Sequence, residues 1–141
     1  DSDGKTHLHC RAHIRTTDCD VSEARTWKEG VGAAGTAYAR GEEVVVPDLN
    51  AIELGSLLKL PEVKDGDSFR YGSVVAEPIF DGTNSEPWGV LTATSRFQNH
   101  FSLSDRTYVD VTQSLAGMIC LAVKLVRVKN QEFETALRPK P

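Results

Sequence analysis

The sequence predicts an α+β domain in which antiparallel strands precede a long C-terminal helix, and three features carry that expectation. His7, His9, Arg11 and His13 alternate with Leu8, Cys10, Ala12 and Ile14, the two-residue period of a strand. Tyr71–Phe80 and Trp88–Ser95 are strand-like runs joined by the turn-rich Asp81–Pro87, which reads as a hairpin with a longer loop. From Tyr108 to Val126, apolar residues recur at intervals of three and four, the period of a helix.

The remaining elements follow in chain order. Asp3-Gly4 suits a tight turn with no strand before it, so the chain is expected to begin inside its fold. Asp18 to Lys28 is polar and reads as a connection. Gly30-Val-Gly-Ala-Ala-Gly35 then opens a short helix of under two turns, stopped by Gly41. Glu43–Val46 is a brief β-branched strand closed by Pro47. Leu49–Arg70 is irregular and reads as a lid or covering segment. Ser104, with Ser102 as rival, is placed to cap a helix starting near Asp105, and Leu103 and Tyr108 are spaced as a hydrophobic staple. Tyr108, Val111, Leu115, Ile119, Ala122 and Val126 form its main apolar stripe, broadened by Val109, Met118, Leu121, Val123 and Leu125. The helix is expected to run to about Lys129, ahead of a Pro-terminated linker over 131–141. That leaves one domain over 1–130.

Composition bounds the function. With 141 residues, 40% hydrophobic and 26% charged, the chain can bury one core without staples. A net charge of -4, with only Lys124, Arg127 and Lys129 as a local basic end, points away from nucleic acid and anionic membranes. No uninterrupted apolar run reaches a membrane span and no signal sequence opens the chain, so a cytoplasmic location is expected. Three cysteines without framework spacing favour neither disulfides nor a structural zinc.

Gly30-Val-Gly-Ala-Ala-Gly-Thr-Ala37, Gly41-Glu-Glu-Val-Val-Val-Pro-Asp48, Ser73-Val-Val-Ala-Glu-Pro-Ile79, Gly89-Val-Leu-Thr-Ala93 and Phe101-Ser-Leu-Ser-Asp105 stand in the order of the GAF domain's signature segments. The chain resembles that family from about Thr6 to Val128. The resemblance implies a GAF/PAS-like central antiparallel sheet of about five to six strands with helices on both faces. It also implies a regulatory module that binds a small molecule and signals through a helical dimer to an effector domain. The family's usual first helix and strand would lie before Asp1. Two other readings remain: a ligand-free dimerisation module, with Leu54, Leu57 and Leu58 packing the pocket shut, and a small enzyme of this fold.

Gly30-x-Gly32-x-x-Gly35 matches a dinucleotide fingerprint but lacks a preceding strand and a parallel crossover, so it reads as backbone needing positive φ or close approach. His7 and His13 would stand about 20 Å apart along a strand and cannot share a metal ion, and His7 with His9 lacks a third ligand. No metal or nucleotide motif is evident, and the cofactor is open. If the sheet is covered on both faces, Arg11 and His13 line a cavity suited to an anion. Asp48 at a strand end, and Tyr71, Ser73 and Glu77 on one strand face, complete the candidate ligand-binding set. Glu77, if buried, needs a partner, and Arg11 or Arg70 is available. Cys10 and Cys120 read as small buried hydrophobes, while Cys19 sits between Asp18 and Asp20, whose charge makes a poor thiolate. The GAF-fold free methionine sulfoxide reductases carry cysteines in the Gly-rich turn and the lid. This sequence has Ala33 and Ala34 in the turn and no lid cysteine, so no catalytic residue is assigned. Bilin attachment would need a Cys-His pair, which is absent, and the cyclic-nucleotide pattern survives only in Phe101 and Asp105. Those two read as a core anchor and a first-turn carboxylate.

Overall fold

Ser73–Ile79 contains three β-branched residues and no exposed position, so it can only be a strand covered on both faces. The computed structural model describes residues 6–12, 26–51, 71–82 and 85–137, with side chains described to residue 130. In chain order the elements are β1 (His7–His9), β2 (Thr26–Lys28), α1 (Gly32–Arg40), β3 (Val44–Val46), β4 (Ser73–Ile79), β5 (Gly89–Ser95) and α2 (Thr107–Leu137). β4 lies between β3 and β5, and both pairings are antiparallel, with Val75 opposite Val45 on one side and Ala93 on the other. The hairpin expected over 71–95 is therefore present. Pro78 has no N–H to donate, and it lies beyond the Val44↔Ala76 pair, where β4 keeps only β5 as a neighbour.

The pleat of β4 sends alternate residues to two cores. Val74 packs with Val46 against Ala33 of α1, with Val44 and Leu49 alongside. Val75 packs on the other face with Phe101 and with Val109 of α2, flanked by Val45 and Ala93. Helices thus cover both faces, as the resemblance implied. The single sheet of five to six strands is not what the described residues form: they hold five strands in two sheets, β3-β4-β5 and a separate β1-β2 ribbon.

That ribbon corrects the polar connection expected before Gly30. Thr26, Trp27 and Lys28 pair antiparallel with His9, Leu8 and His7, because alternation in β1 leaves Leu8 an apolar side that Trp27 can cover. The strand expected over 7–14 is strand only to His9: positions 10–12 are irregular, while His13 and Ile14 lie outside the described residues, as do the tight turn at Asp3-Gly4 and positions 52–70 of the lid.

α1 spans nine residues, about two and a half turns rather than under two. Gly30 and Gly32 take φ of 73° and 65°, and a Cβ on Gly35 would collide with the carbonyl oxygen of Lys28, so the glycine run serves backbone geometry. Gly41 closes α1 in the left-handed region, its N–H donating to Ala37 O.

α2 starts at Thr107, two residues beyond the expected Asp105. Ser104 and Ser102 hydrogen bond to each other, and the Asp105 carboxylate takes the cap by accepting from the Thr107 N–H at 3.1 Å and its hydroxyl at 2.7 Å. These bonds hold the Asp105 carboxyl below its usual range. Leu103 and Tyr108 are both exposed, and Tyr108 stacks on His100 instead of forming a staple. The helix continues to Leu137, past the expected end near Lys129.

Which stripe of α2 is buried also differs from expectation. Val109, Thr112 and Ala116 face the sheet, with Ile119, Cys120 and Val123 half-buried below them. Tyr108, Val111, Leu115, Met118 and Leu125 are exposed. Small side chains let the helix backbone approach β4 closely, which the larger stripe would prevent. Trp88, expected to pack at a sheet end, is half exposed, whereas Trp27 is half-buried. Thr107–Asn130 is long and apolar enough to cross a membrane by length and composition. Its root, however, is occupied on one side by the sheet, so that side is not free to meet lipid.

Candidate functional site

Among the described residues, those expected to bind a ligand stand at separate places in the fold. The β4 alternation puts Ser73, Val75 and Glu77 on the α2 side of the sheet, away from α1. Ser73 is fully buried; its hydroxyl donates to Phe97 O at 2.8 Å and accepts from the Phe101 N–H at 3.4 Å, tying the 96–101 loop to β4. Asp48 accepts from the Asn50 N–H at 2.8 Å and from Gln98 Nε2 at 3.1 Å, a second tie to the same loop. Tyr71 is half-buried just before Gly72, whose N–H donates to Ser95 O. A Cβ on Gly72 would press on the Arg96 backbone, so that loop crosses β4 at close range. Arg11 is exposed beyond the end of β1, and His13 lies outside the described residues.

Glu77 does have a half-buried partner, and it is not Arg11, which is exposed; Arg70 lies outside the described residues. Glu43 stands just before β3, one step beyond Val44↔Ala76, and so beside Glu77 on the α2 face. Arg106 reaches down from the start of α2 and grips Glu43 with two parallel bonds, Nη1 to Oε1 at 2.9 Å and Nη2 to Oε2 at 2.8 Å. Its Nε bonds Asp110 Oδ1 at 3.0 Å, one helical turn on. The Arg106 bond holds the Glu43 carboxyl below its usual range. Burial, followed by the hydrogen bond and charge of Glu43, pushes Glu77 up to about 8. Glu77 therefore favours its protonated form beside Glu43. Sequence reasoning missed Glu43, Arg106 and Asp110. The available signals were the odd-numbered alternation shared by Glu43 and Val45, and the four-residue spacing of Arg106 and Asp110.

At the far end of the hairpin, Arg127 pairs with the buried Asp81, and Cys120 Sγ donates to Phe80 O at 2.6 Å. Cys10 and Cys120 are both half-buried rather than fully enclosed. A cleft of about 190 Å³ lies where the ribbon meets the end of α1 and the hairpin loop, lined by Glu29, Tyr38, Arg40, Ser85 and Glu86 among others. It is polar, smaller than a typical ligand pocket, and contains none of the expected binding residues.

A family model described as GAF domain matches residues 1–123. The chain belongs to the GAF family. Among solved structures, a free methionine-R-sulfoxide reductase from Neisseria meningitidis in complex with its substrate superposes with a TM-score of 0.50 at 23% identity. The match covers 72% of this chain and 54% of that one, so this GAF domain spans about half the length of the reductase. At that identity the likeness speaks for the fold alone. No curated protein sequence matches the chain.

Proposed function

We propose that this GAF domain is a non-catalytic regulatory module that binds a small molecule, pairs with a second copy through α2 and passes the signal along that helix to an effector domain. The observation that carries the proposal is the outward seam of α2. Tyr108, Val111, Leu115, Met118, Ala122 and Leu125 are spaced three and four apart, all exposed, and adjoin the stripe buried against the sheet. A strict seven-residue repeat of this kind is the signature of a two-helix seam, in which each side chain inserts between four on the partner. Leu121, Val126 and Val128 flank it with further exposed apolar surface. Glutamate in place of Leu115 and Met118 together should raise the dimer dissociation constant by about a hundredfold or more, at unchanged circular dichroism. Sedimentation equilibrium reads this directly, and a wild type that stays monomeric at high concentration overturns the pairing.

Small-molecule binding rests on family membership and on the α1 side of the sheet, where β5 presents Thr92 and Thr94 to solvent. One observation favours the ligand-free dimerisation module instead: the Ser73 hydroxyl and Asp48 Oδ1 already bond within the fold, and Glu77 pairs with Glu43. A thermal-shift screen over purines, cyclic nucleotides, small carboxylates, haem and aromatic acids separates the two. A ligand at a hundredfold excess over its dissociation constant stabilises the fold by about 2.7 kcal/mol, a shift of several degrees. No shift with any of them would make the dimerisation module the better account. Reductase chemistry is disfavoured by Ala33 and Ala34 in the glycine-rich turn and by the Cys120 thiol being engaged with Phe80 O.

A further inference from the structure

The charged groups under the root of α2 form an unbalanced set. Glu77 is 4% exposed, and its Oε1 has no hydrogen-bond partner among the described residues. β3 contributes Glu43 from its leading end, and α2 contributes Arg106 and Asp110, while the β5 neighbour across from Glu77 is the uncharged Leu91. Val75, Phe101 and Val109 make up the apolar core on this side of the sheet. Three carboxyls thus face one guanidinium, and both of its bonding edges are taken, by Glu43 and by Asp110. Among the described residues, Glu77 has no cation of its own. Two carboxyls can pair in such a place only with a proton between them.

We propose that the Glu43–Glu77 carboxyl pair beneath Arg106 is a proton-operated latch that holds the first turns of α2 on the sheet. With the proton in place, the Glu77 hydroxyl donates to Glu43, whose own oxygens stay clamped by Arg106, and the root of α2 is tied to β3 and β4 together. When that proton leaves, two adjacent anions share one guanidinium, and Glu77, unlike the partly exposed Glu43 and Arg106, is shielded from water. Glu77 then gains hydration only if the α2 root lifts from β4, since Val109 is fully buried at the contact. The elevated affinity of Glu77 for its proton agrees with this arrangement. The latch goes beyond the sensory reading and does not require it: the trigger is a proton, and the moving part is the helix root, whatever α2 pairs with.

The sign follows from linkage. A carboxyl raised from 4.5 to about 8 on folding contributes stability that is complete below its unfolded value and is lost as pH rises through the folded one. If the open root exposes Glu77 to water, the opening constant grows by about tenfold per pH unit between those limits. Amide hydrogen exchange of the whole chain, corrected for intrinsic rates, reads this between pH of about 5.5 and 7.5. Protection at Val109–Ala116 should fall by about tenfold per unit in the wild type, with β5 amides changing far less. In Glu77→Gln, which keeps the shape and a donor, the same amides should be flat with pH. Parallel loss in α2 and β5, or identical pH profiles in wild type and variant, overturns the latch. Should Glu77→Gln fail to fold, the side-chain carbon resonance of Glu77 in the wild type decides. A midpoint well above the usual carboxylate range, shared by the α2-root amides, supports the proposal, and one within that range overturns it.

Discussion

The two sides of α2 both carry apolar residues and meet opposite fates. Val109, Thr112 and Ala116 are buried on the sheet, while Tyr108, Val111, Leu115 and Met118, each one position before or two after, stay exposed. Hydrophobicity does not make the choice, because the exposed side is the more apolar. Size does: a helix lying on a strand as tightly packed as β4 tolerates valine, threonine and alanine where leucine and methionine would hold it off. Even the buried threonine is accommodated, its hydroxyl donating to Tyr108 O within the helix at 2.9 Å. The larger stripe is left for a partner able to interdigitate with it.

Several substitutions test that contrast. The largest effect is expected at Val109, which has no exposure; Val109→Asp buries an unpaired carboxylate against Val75 and Phe101 and should cost several kcal/mol, about 3 or more, enough to unfold much of the chain. Circular dichroism and denaturant melts would show it. A folded Val109→Asp with normal cooperativity would mean that the sheet contact contributes little. The paired glutamates at Leu115 and Met118 should leave the monomer's stability within about 0.5 kcal/mol while removing association, since both sites are exposed in one chain. Unfolding instead of dissociation would show that the outward stripe belongs to the core. The smallest effect is at Gly117, where an added Cβ meets nothing within 4 Å. Gly117→Ala should stabilise the isolated helix by about 0.5–1 kcal/mol through backbone entropy and propensity. If it weakens dimerisation at the same time, the partner helix approaches at Gly117, which would place the seam more closely.

Much of the fold could be read from the residues because it rests on local rules. The β4–β5 hairpin is written in two β-rich runs around Asp81-Gly82, and the C-terminal helix in its three-and-four spacing. The glycine run was legible as backbone geometry, and Gly30, Gly32, Gly35 and Gly41 each meet a positive φ or a close approach. β2 was not legible: three residues amid charge carry little periodicity, and Trp27 becomes a strand residue only because Leu8 lies opposite. The helix start was misplaced because Ser102, Ser104 and Asp105 all have capping side chains. What selects Asp105 is that the two serines bond each other.

The candidate site was legible only in part. Ser73 and Glu77 do share a strand face, as alternation requires, but alternation cannot say which helix covers that face. It is α2, and the loop after β5 consumes the Ser73 hydroxyl. The partner of Glu77 came from 34 positions away, just before β3, with Arg106 63 positions along from Glu43.

From its sequence alone, then, the chain specifies its family, its hairpin, its long terminal helix and the positions where only glycine fits. Each depends on neighbours within a few residues, or on segment order. Tertiary structure decides which stripe of α2 is buried, which cap starts it, and that Glu77 meets a Glu43 clamped by Arg106. Those outcomes turn on how closely a helix can approach a sheet and on which charges are brought together from distant strands. Neither distance is encoded in any local stretch of residues.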